Sequence, residues 1–258
     1  MTASPATFDD PVAVADEAVE LTRPLFLAFD VDGVLAPIVD HAADAAMLPG
    51  MLDALIELSD RVPVGVVSGR AVENLERFGF PDSFLIAGSH GAERRGTPLA
   101  PLSVAETRRL DRLRMLAGRA AVEAGPGAWV ESKPTSVVVH VREADPESGA
   151  AALADLTKLS RLVAGAHVKP GHKVVELATR PATKAAAIAA MRLDVPPSSV
   201  VFLGDDVTDE DVFTTLTNGD LGIRVGPGET AATRRLAGPD DVLTFIHRLV
   251  STIPPKAA

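Results

Sequence analysis

The run LFLAFDVDGVL, residues 25–35, carries five apolar residues into two aspartates, Asp30 and Asp32, separated by one valine and followed by a glycine. Carboxylates this close repel each other, and at the end of a hydrophobic strand they also lose hydration. A compensating charge is needed, most simply a divalent cation. An aspartate–glycine pair can also do no more than turn the chain at a strand end. A second acidic string bears on the choice, because GDDVTDED, residues 204–211, follows SVVFL as DVDG follows LFLAF. Adjacent parallel strands lie about 4.8 Å apart, so two such loops can share one cation between their carboxylates. Asp205 reads as a metal ligand, with Asp206 and Asp209 supporting it. Glu210 and Asp211 suit the first turn of a helix capped by Thr208.

Two further positions could meet an anion. Ser68 and Gly69 follow VPVGVV, where backbone N–H groups and a hydroxyl at a helix start can hold a phosphate oxygen, although Ser68 could equally be an ordinary helix cap. Lys184 follows Thr183 at the start of KAAAIAAM, where a cation opposes the helix dipole unless an anion faces it. Farther from these loops, Glu131 and Lys133 fall on one strand face, as do His140 and Arg142, because strand side chains alternate. Such a face could hydrogen-bond a polyhydroxylated ligand or simply be solvated.

The elements that must position these residues are legible in the apolar runs. LFLAF, VPVGVV, SFLIA and SVVFL each end in a polar or glycine-bearing loop, with helical patterns such as PGMLDALIELSDR between them. Strand alternating with helix predicts an α/β protein with a Rossmann-like, doubly wound parallel-sheet core, and ligands of such sheets bind at the carboxyl ends of the strands. LGIRVG adds a strand and DDVLTFIHRLV a terminal helix, while residues 1 to about 20 fray or form a short lead-in helix. Between about 98 and 180 the strands become shorter and alternating, which predicts an inserted α+β cap domain dividing the core into 1–97 and 181–258. Ser103 and Glu106 form a capping box opening a helix to about 124, WVESK and SVVVHVR are strands, a helix covers 146–164, and AHVKPGHKVVELA is a hairpin turning at Pro170 and Gly171.

Bulk properties narrow the class. At 258 residues with 47% apolar content the chain can bury a large core. A formal charge of −10 without a basic cluster argues against nucleic acid or an anionic membrane as partner. No cysteine is present, so thiol and disulfide chemistry is excluded. With no secretory signal pattern and no long apolar span, the cytoplasm is the default compartment. The sequence is compatible with a monomer and sets no oligomeric state.

The loops DVDGVL, SGR, Lys184 and GDDVTDED, in this order, resemble the haloacid-dehalogenase superfamily of phosphotransferases. GSHGAE at 88–93, with ESK and HVR, is similar to the trehalose-6-phosphate phosphatase family in particular. The resemblance spans about residues 25 to 215. Val34 stands where that family usually has threonine, Ala185 where it has glycine, and Val141 where a tyrosine often lies. The resemblance implies Asp30 as nucleophile, Asp32 as acid and then base, and Mg²⁺ held by Asp30, the Asp32 carbonyl and Asp205, with Asp206 alongside. It also implies Lys184, Ser68 and Gly69 on the phosphoryl oxygens, with Arg70, His90, Glu131, Lys133, His140, Arg142 and Glu176 reading a small-molecule sugar phosphate. Hydrolysis of another sugar phosphate, transfer to a sugar acceptor, and non-catalytic sugar-phosphate binding are the alternative functions.

Overall fold

The structure, a computed structural model, describes residues 7–22, 24–39, 44–195 and 199–256. The chain divides into two compact units, Met1–Thr97 with Ala182–Ala258, and Pro98–Pro181. The first six residues of the anticipated lead-in segment lie outside the described residues. Residues 7–10 are irregular and lead into helix α1 (Pro11–Glu20), opened by the Asp10 side chain, which accepts from the backbone N–H groups of Val12 and Ala13.

In the first unit α1 is followed by β1 (Leu25–Phe29), α2 (Met51–Ser59), β2 (Val64–Val67), α3 (Val72–Glu76), β3 (Leu85–Gly88) and the short β4 (Glu93–Arg94). The second unit is α4 (Val104–Ala124), β5 (Trp129–Ser132), β6 (Ser136–His140), α5 (Pro146–Ser160), β7 (His167–Gly171) and β8 (Val174–Ala178). The first unit resumes with α6 (Lys184–Asp194), β9 (Ser199–Gly204), α7 (Val207–Phe213), β10 (Leu221–Val225), β11 (Arg234–Leu236) and α8 (Pro239–Thr252).

Seven strands form the first unit's sheet in the order β11-β10-β9-β1-β2-β3-β4, parallel except for the β3–β4 pair. All five residues of β1 are buried, as a strand covered on both faces requires. Alternation sends Leu25, Leu27 and Phe29 into a cluster with Val14, Leu55 and Phe245, from α1, α2 and α8. Phe26 and Ala28 point the other way, into a cluster with Ile188, Met191 and Val212 from α6 and α7. Helices therefore cover both faces, giving the doubly wound α/β core.

The second unit is an antiparallel sheet, β5-β6-β8-β7, with one face on its own core. Val137, Val139, Val175 and Leu177 pack with Leu113 and Ala117 of α4 and Leu153 and Leu156 of α5. The opposite face carries the polar side chains. Three local expectations need correction. The hairpin turns at His172 and Lys173, not at Pro170 and Gly171, because Pro170 pairs with Val175 and Gly171 with Val174, and Lys173 takes the left-handed φ of 57°. Proline is tolerated there since β7 is an edge strand. Helix α5 stops at Ser160. Strand β6 ends at His140, so Arg142 lies exposed in the following turn rather than beside His140 on the strand.

The capping box of α4 is present, with Glu106 N–H donating to Ser103 Oγ and Ser103 N–H to Glu106 Oε2. Arg180 Nε also donates to Glu106 Oε1 at 2.6 Å, tying the end of the unit to its beginning. The hydrogen bond from Arg180, then those from Ser103, lower the Glu106 pKa from 4.5 to about 2. A depressed folded pKa contributes stability that is present above the unfolded value and is lost as pH falls through the folded one. Glu106→Gln is therefore expected to lower the melting temperature near neutrality, with the difference from wild type shrinking below pH 4.5 and vanishing near pH 2. A constant difference across that range in paired thermal melts would remove Glu106 as its source.

Candidate active site

Strands β1 and β9 are parallel neighbours, with Phe29 opposite Leu203, so their following residues leave the sheet side by side. Asp30 stays in the ladder through its N–H to Leu203 O at 2.9 Å. Its Oδ1 accepts from Val31 N–H at 2.7 Å and its Oδ2 from Lys184 Nζ at 2.6 Å. Lys184 is the first residue of α6 after the Thr183 cap, and it is buried. Its ammonium also donates to Asp209 Oδ1 at 2.7 Å. The misfit of a lysine with its helix terminus is thus resolved by two anions.

Asp209 uses both its oxygens within the protein. Oδ2 accepts from the backbone N–H groups of Asp205 and Asp206, each at 2.9 Å, which shapes the loop that presents Asp205. Gly204 makes this possible, because a Cβ there would lie 2.4 Å from Asp209 Cγ. Gly33 has a similar part, since with φ at 77° a Cβ would lie 2.0 Å from Asp205 Oδ2. The glycines after Asp32 and before Asp205 keep the two loops in close approach.

Carboxylate oxygens of Asp30, Asp205 and Asp209 lie within 4.8 Å of one another, the grouping among the described residues suited to a metal ion. Neither Asp32 nor Asp206 adds a carboxylate to it. Asp206 is exposed at the helix cap, and it is Asp206 rather than Thr208 that caps α7. Burial, with Asp209 adding to it and Lys184 opposing, pushes Asp30 up to about 7. Burial and then Asp30 push Asp205 up to about 8. Burial alone would lower Lys184, but Asp209 and Asp30 outweigh it and raise its pKa. Three carboxylates against one ammonium leave surplus negative charge in a desolvated place, and the all-oxygen donor set suits a hard divalent cation.

Asp32, half-exposed, is gripped by Arg70, whose Nε donates to Asp32 Oδ2 at 2.7 Å and Nη2 to Oδ1 at 2.6 Å. This fork-to-fork geometry fixes the Asp32 rotamer. Ser68 follows β2, is buried, and accepts at Oγ from Arg70 N–H at 3.2 Å. Helix α3 begins four residues later with Ala71 at its cap, so Ser68 is not its N-cap. His90 takes a left-handed φ of 56°, and its ring lies over Gly69, where a Cβ would meet Cε1 at 2.8 Å. Ser89 Oγ hydrogen-bonds Glu93 beside it.

In the second unit Glu131 Oε2 is 3.0 Å from His140 Nε2 across the β5–β6 pair. That hydrogen bond chiefly lowers the Glu131 pKa. Lys133 Nζ lies 3.7 Å from Glu176 Oε1, which accepts from Ser136 Oγ at 2.6 Å. The sequence singled out Glu131, Lys133, His140 and Glu176, and the fold brings them together in these two groups. Sequence reasoning missed Ser136 and Trp129, although period-two counting from Glu131 reaches Trp129.

A trehalose-phosphatase family profile matches residues 28–239. The chain belongs to the trehalose-phosphatase family. It is 30% identical over 249 residues to the trehalose-6-phosphate phosphatase of Escherichia coli K12, covering 93% of this chain and 92% of that one. An uncharacterized glycosyl hydrolase of Mycobacterium tuberculosis is 33% identical over 240 residues, of which this chain spans only 18%. The fold matches that of the C-terminal domain of Candida albicans trehalose-6-phosphate phosphatase with a TM-score of 0.80 at 24% identity, over 96% of this chain and 99% of that one. The chain is a phosphatase, a phosphoric monoester hydrolase on the haloacid-dehalogenase fold. No helix among the described residues is long and apolar enough to cross a membrane.

Proposed function

We propose that this phosphatase hydrolyses trehalose 6-phosphate, with Mg²⁺, through an aspartyl-phosphate on Asp30. The observation that carries this is the Asp30 carboxylate at the end of β1, held by Lys184 and facing Asp205. Asp30 and Asp205 would hold the metal, with Asp209 aligning the Asp205 loop. When bound, the metal supplies positive charge that lowers repulsion between a carboxylate nucleophile and a dianionic phosphate.

The protein's own groups then divide the work. The Asp30 carboxylate forms a bond to phosphorus as the bond to the sugar oxygen breaks, and Asp32 gives that oxygen its proton. Water attacks the acyl phosphate as Asp32 takes a proton back, which frees phosphate and Asp30. Lys184 and Ser68 would neutralise the transferring oxygens, where charge stabilisation contributes most. Sugar hydroxyls would be read by Glu131, His140, Lys133 and Glu176, with Arg142 and His90 as further candidates. Arg70 orients Asp32 as a carboxylate, and one of its two hydrogen bonds opens when Asp32 carries the proton. Val141, in the position often occupied by tyrosine, is buried among Ala144, Leu153 and their neighbours, so this departure changes packing rather than the polar face.

A panel of phosphorylated sugars, assayed with and without Mg²⁺, tests substrate and metal together. Trehalose 6-phosphate is expected to give the highest kcat/KM, and only with the divalent cation. Equal or faster turnover of a monosaccharide phosphate would overturn the substrate assignment. For Asp32→Asn, turnover of the sugar phosphate should fall by about 10²- to 10⁴-fold, the usual worth of a general acid or base. With an activated aryl phosphate, whose phenolate leaves without a proton, the same variant should release a burst of phenolate and then turn over slowly. Loss of the burst along with turnover would contradict the division of roles between Asp30 and Asp32.

A further inference from the structure

We propose that Trp129 is the stacking platform for a sugar ring on the second unit, and so sets the affinity of the enzyme for its substrate's carbohydrate part. The inference rests on the phosphatase reading above for the class of ligand. Trp129 starts β5 directly opposite His140 on β6, and its indole lies parallel to the imidazole, with centroids 3.9 Å apart and planes 8° from parallel. His140 is held in turn by Glu131 at 3.0 Å, two residues along the same strand face as Trp129. An aromatic surface, an imidazole and a carboxylate are thus fixed side by side.

Yet Trp129 remains 49% exposed. With one indole face covered by His140, that exposure belongs to the opposite face and the edge. A single exposed apolar residue is ordinary on a surface. This one differs in being immobilised by its stack beside a hydrogen-bonding pair, so little side-chain entropy remains to be lost on binding. A pyranose has the complementary chemistry: its C–H face suits the electron-rich indole face, and its rim of hydroxyls suits Glu131 and His140. A phosphate does not, because the adjoining carboxylate repels it.

The chain contains one tryptophan and no tyrosine, so its indole fluorescence reports Trp129 alone. The full-length Asp30→Asn protein, expected to bind substrate without consuming it, is titrated with trehalose 6-phosphate. Emission should change saturably, with a midpoint near the wild-type KM. In the otherwise wild-type enzyme, Trp129→Ala should raise KM about three- to tenfold, the scale of one aromatic contact, while kcat stays close to wild type. Trp129→Phe, which keeps a ring for stacking, should recover most of the loss. Flat emission over the range that saturates turnover, or an unchanged KM in Trp129→Ala, overturns the proposal while leaving the phosphatase reading intact. If wild type does not hydrolyse trehalose 6-phosphate, that substrate assignment fails. The titration then uses the best substrate of the sugar-phosphate panel, where a saturable response supports the Trp129 platform and a flat one overturns it.

Discussion

Asp30→Asn is expected to lower phosphate release by about 10⁴- to 10⁶-fold, the scale on which loss of a covalent nucleophile is felt, and to leave the protein folded. The second half follows from the crowding around the site. Burial and neighbouring carboxylates already push Asp30 and Asp205 up, so removing one of three close charges relieves repulsion. Asparagine keeps the shape, and Lys184 retains Asp209 at 2.7 Å. In the absence of divalent cations the melting temperature of the variant should therefore equal or exceed that of wild type, and added Mg²⁺ should raise it less. Substantial residual turnover in a phosphate-release assay would exclude Asp30 as nucleophile. A steep fall in melting temperature would instead make the loss of activity structural.

Lys184→Met should have the opposite effect on stability, costing about 3–5 kcal/mol as breaking a buried ion pair does. Methionine fills much of the same volume, so the cost is electrostatic rather than one of packing. Lys184 is 2% exposed and is the ammonium bonded to both Asp30 and Asp209. Without it the cluster of Asp30, Asp205 and Asp209 can only neutralise itself by taking up protons, which moves the cost toward the lower end of that range. Turnover should fall by a further about 10²- to 10³-fold beyond what lost stability explains, since the donor proposed for the transferring oxygens is gone. Urea unfolding without divalent cation measures the first effect. A change below about 1 kcal/mol, the usual worth of a surface pair, would mean that the three carboxylates are neutral or solvated in the folded protein.

Much of this arrangement was legible in the chain because its signals are local. Continuous apolar runs ending in acidic loops mark parallel strands covered on both faces, and β1, β2 and β9 appear where LFLAF, VPVGVV and SVVFL stand. The lysine at the start of α6 was conspicuous because it opposed the helix dipole. Weaker signals failed. Strands β4 and β11, of two and three residues, are too short to show a period. The β7–β8 turn was misplaced because Pro170 and Gly171 signal a turn locally, whereas cross-strand pairing at a sheet edge accommodates both. Asp206 displaced Thr208 as helix cap because either residue type can cap, and only the path of the chain out of β9 selects between them.

The sequence by itself determined which residues could do chemistry: Asp30, Asp32, Lys184 and Asp205 at strand and helix ends, and a polar strand face beginning near Glu131. Residue type, alternation and the electrostatics of a helix terminus suffice for that, because each acts over a few neighbours. Tertiary structure decided who holds whom. Asp209 is spent on Lys184 and the Asp205 loop. Arg70 is spent on Asp32 across 38 residues of sequence, and Trp129 is pinned against His140. Those partnerships depend on strand order and register, which place residues distant in sequence within hydrogen-bonding reach, and no local pattern in the chain encodes that distance.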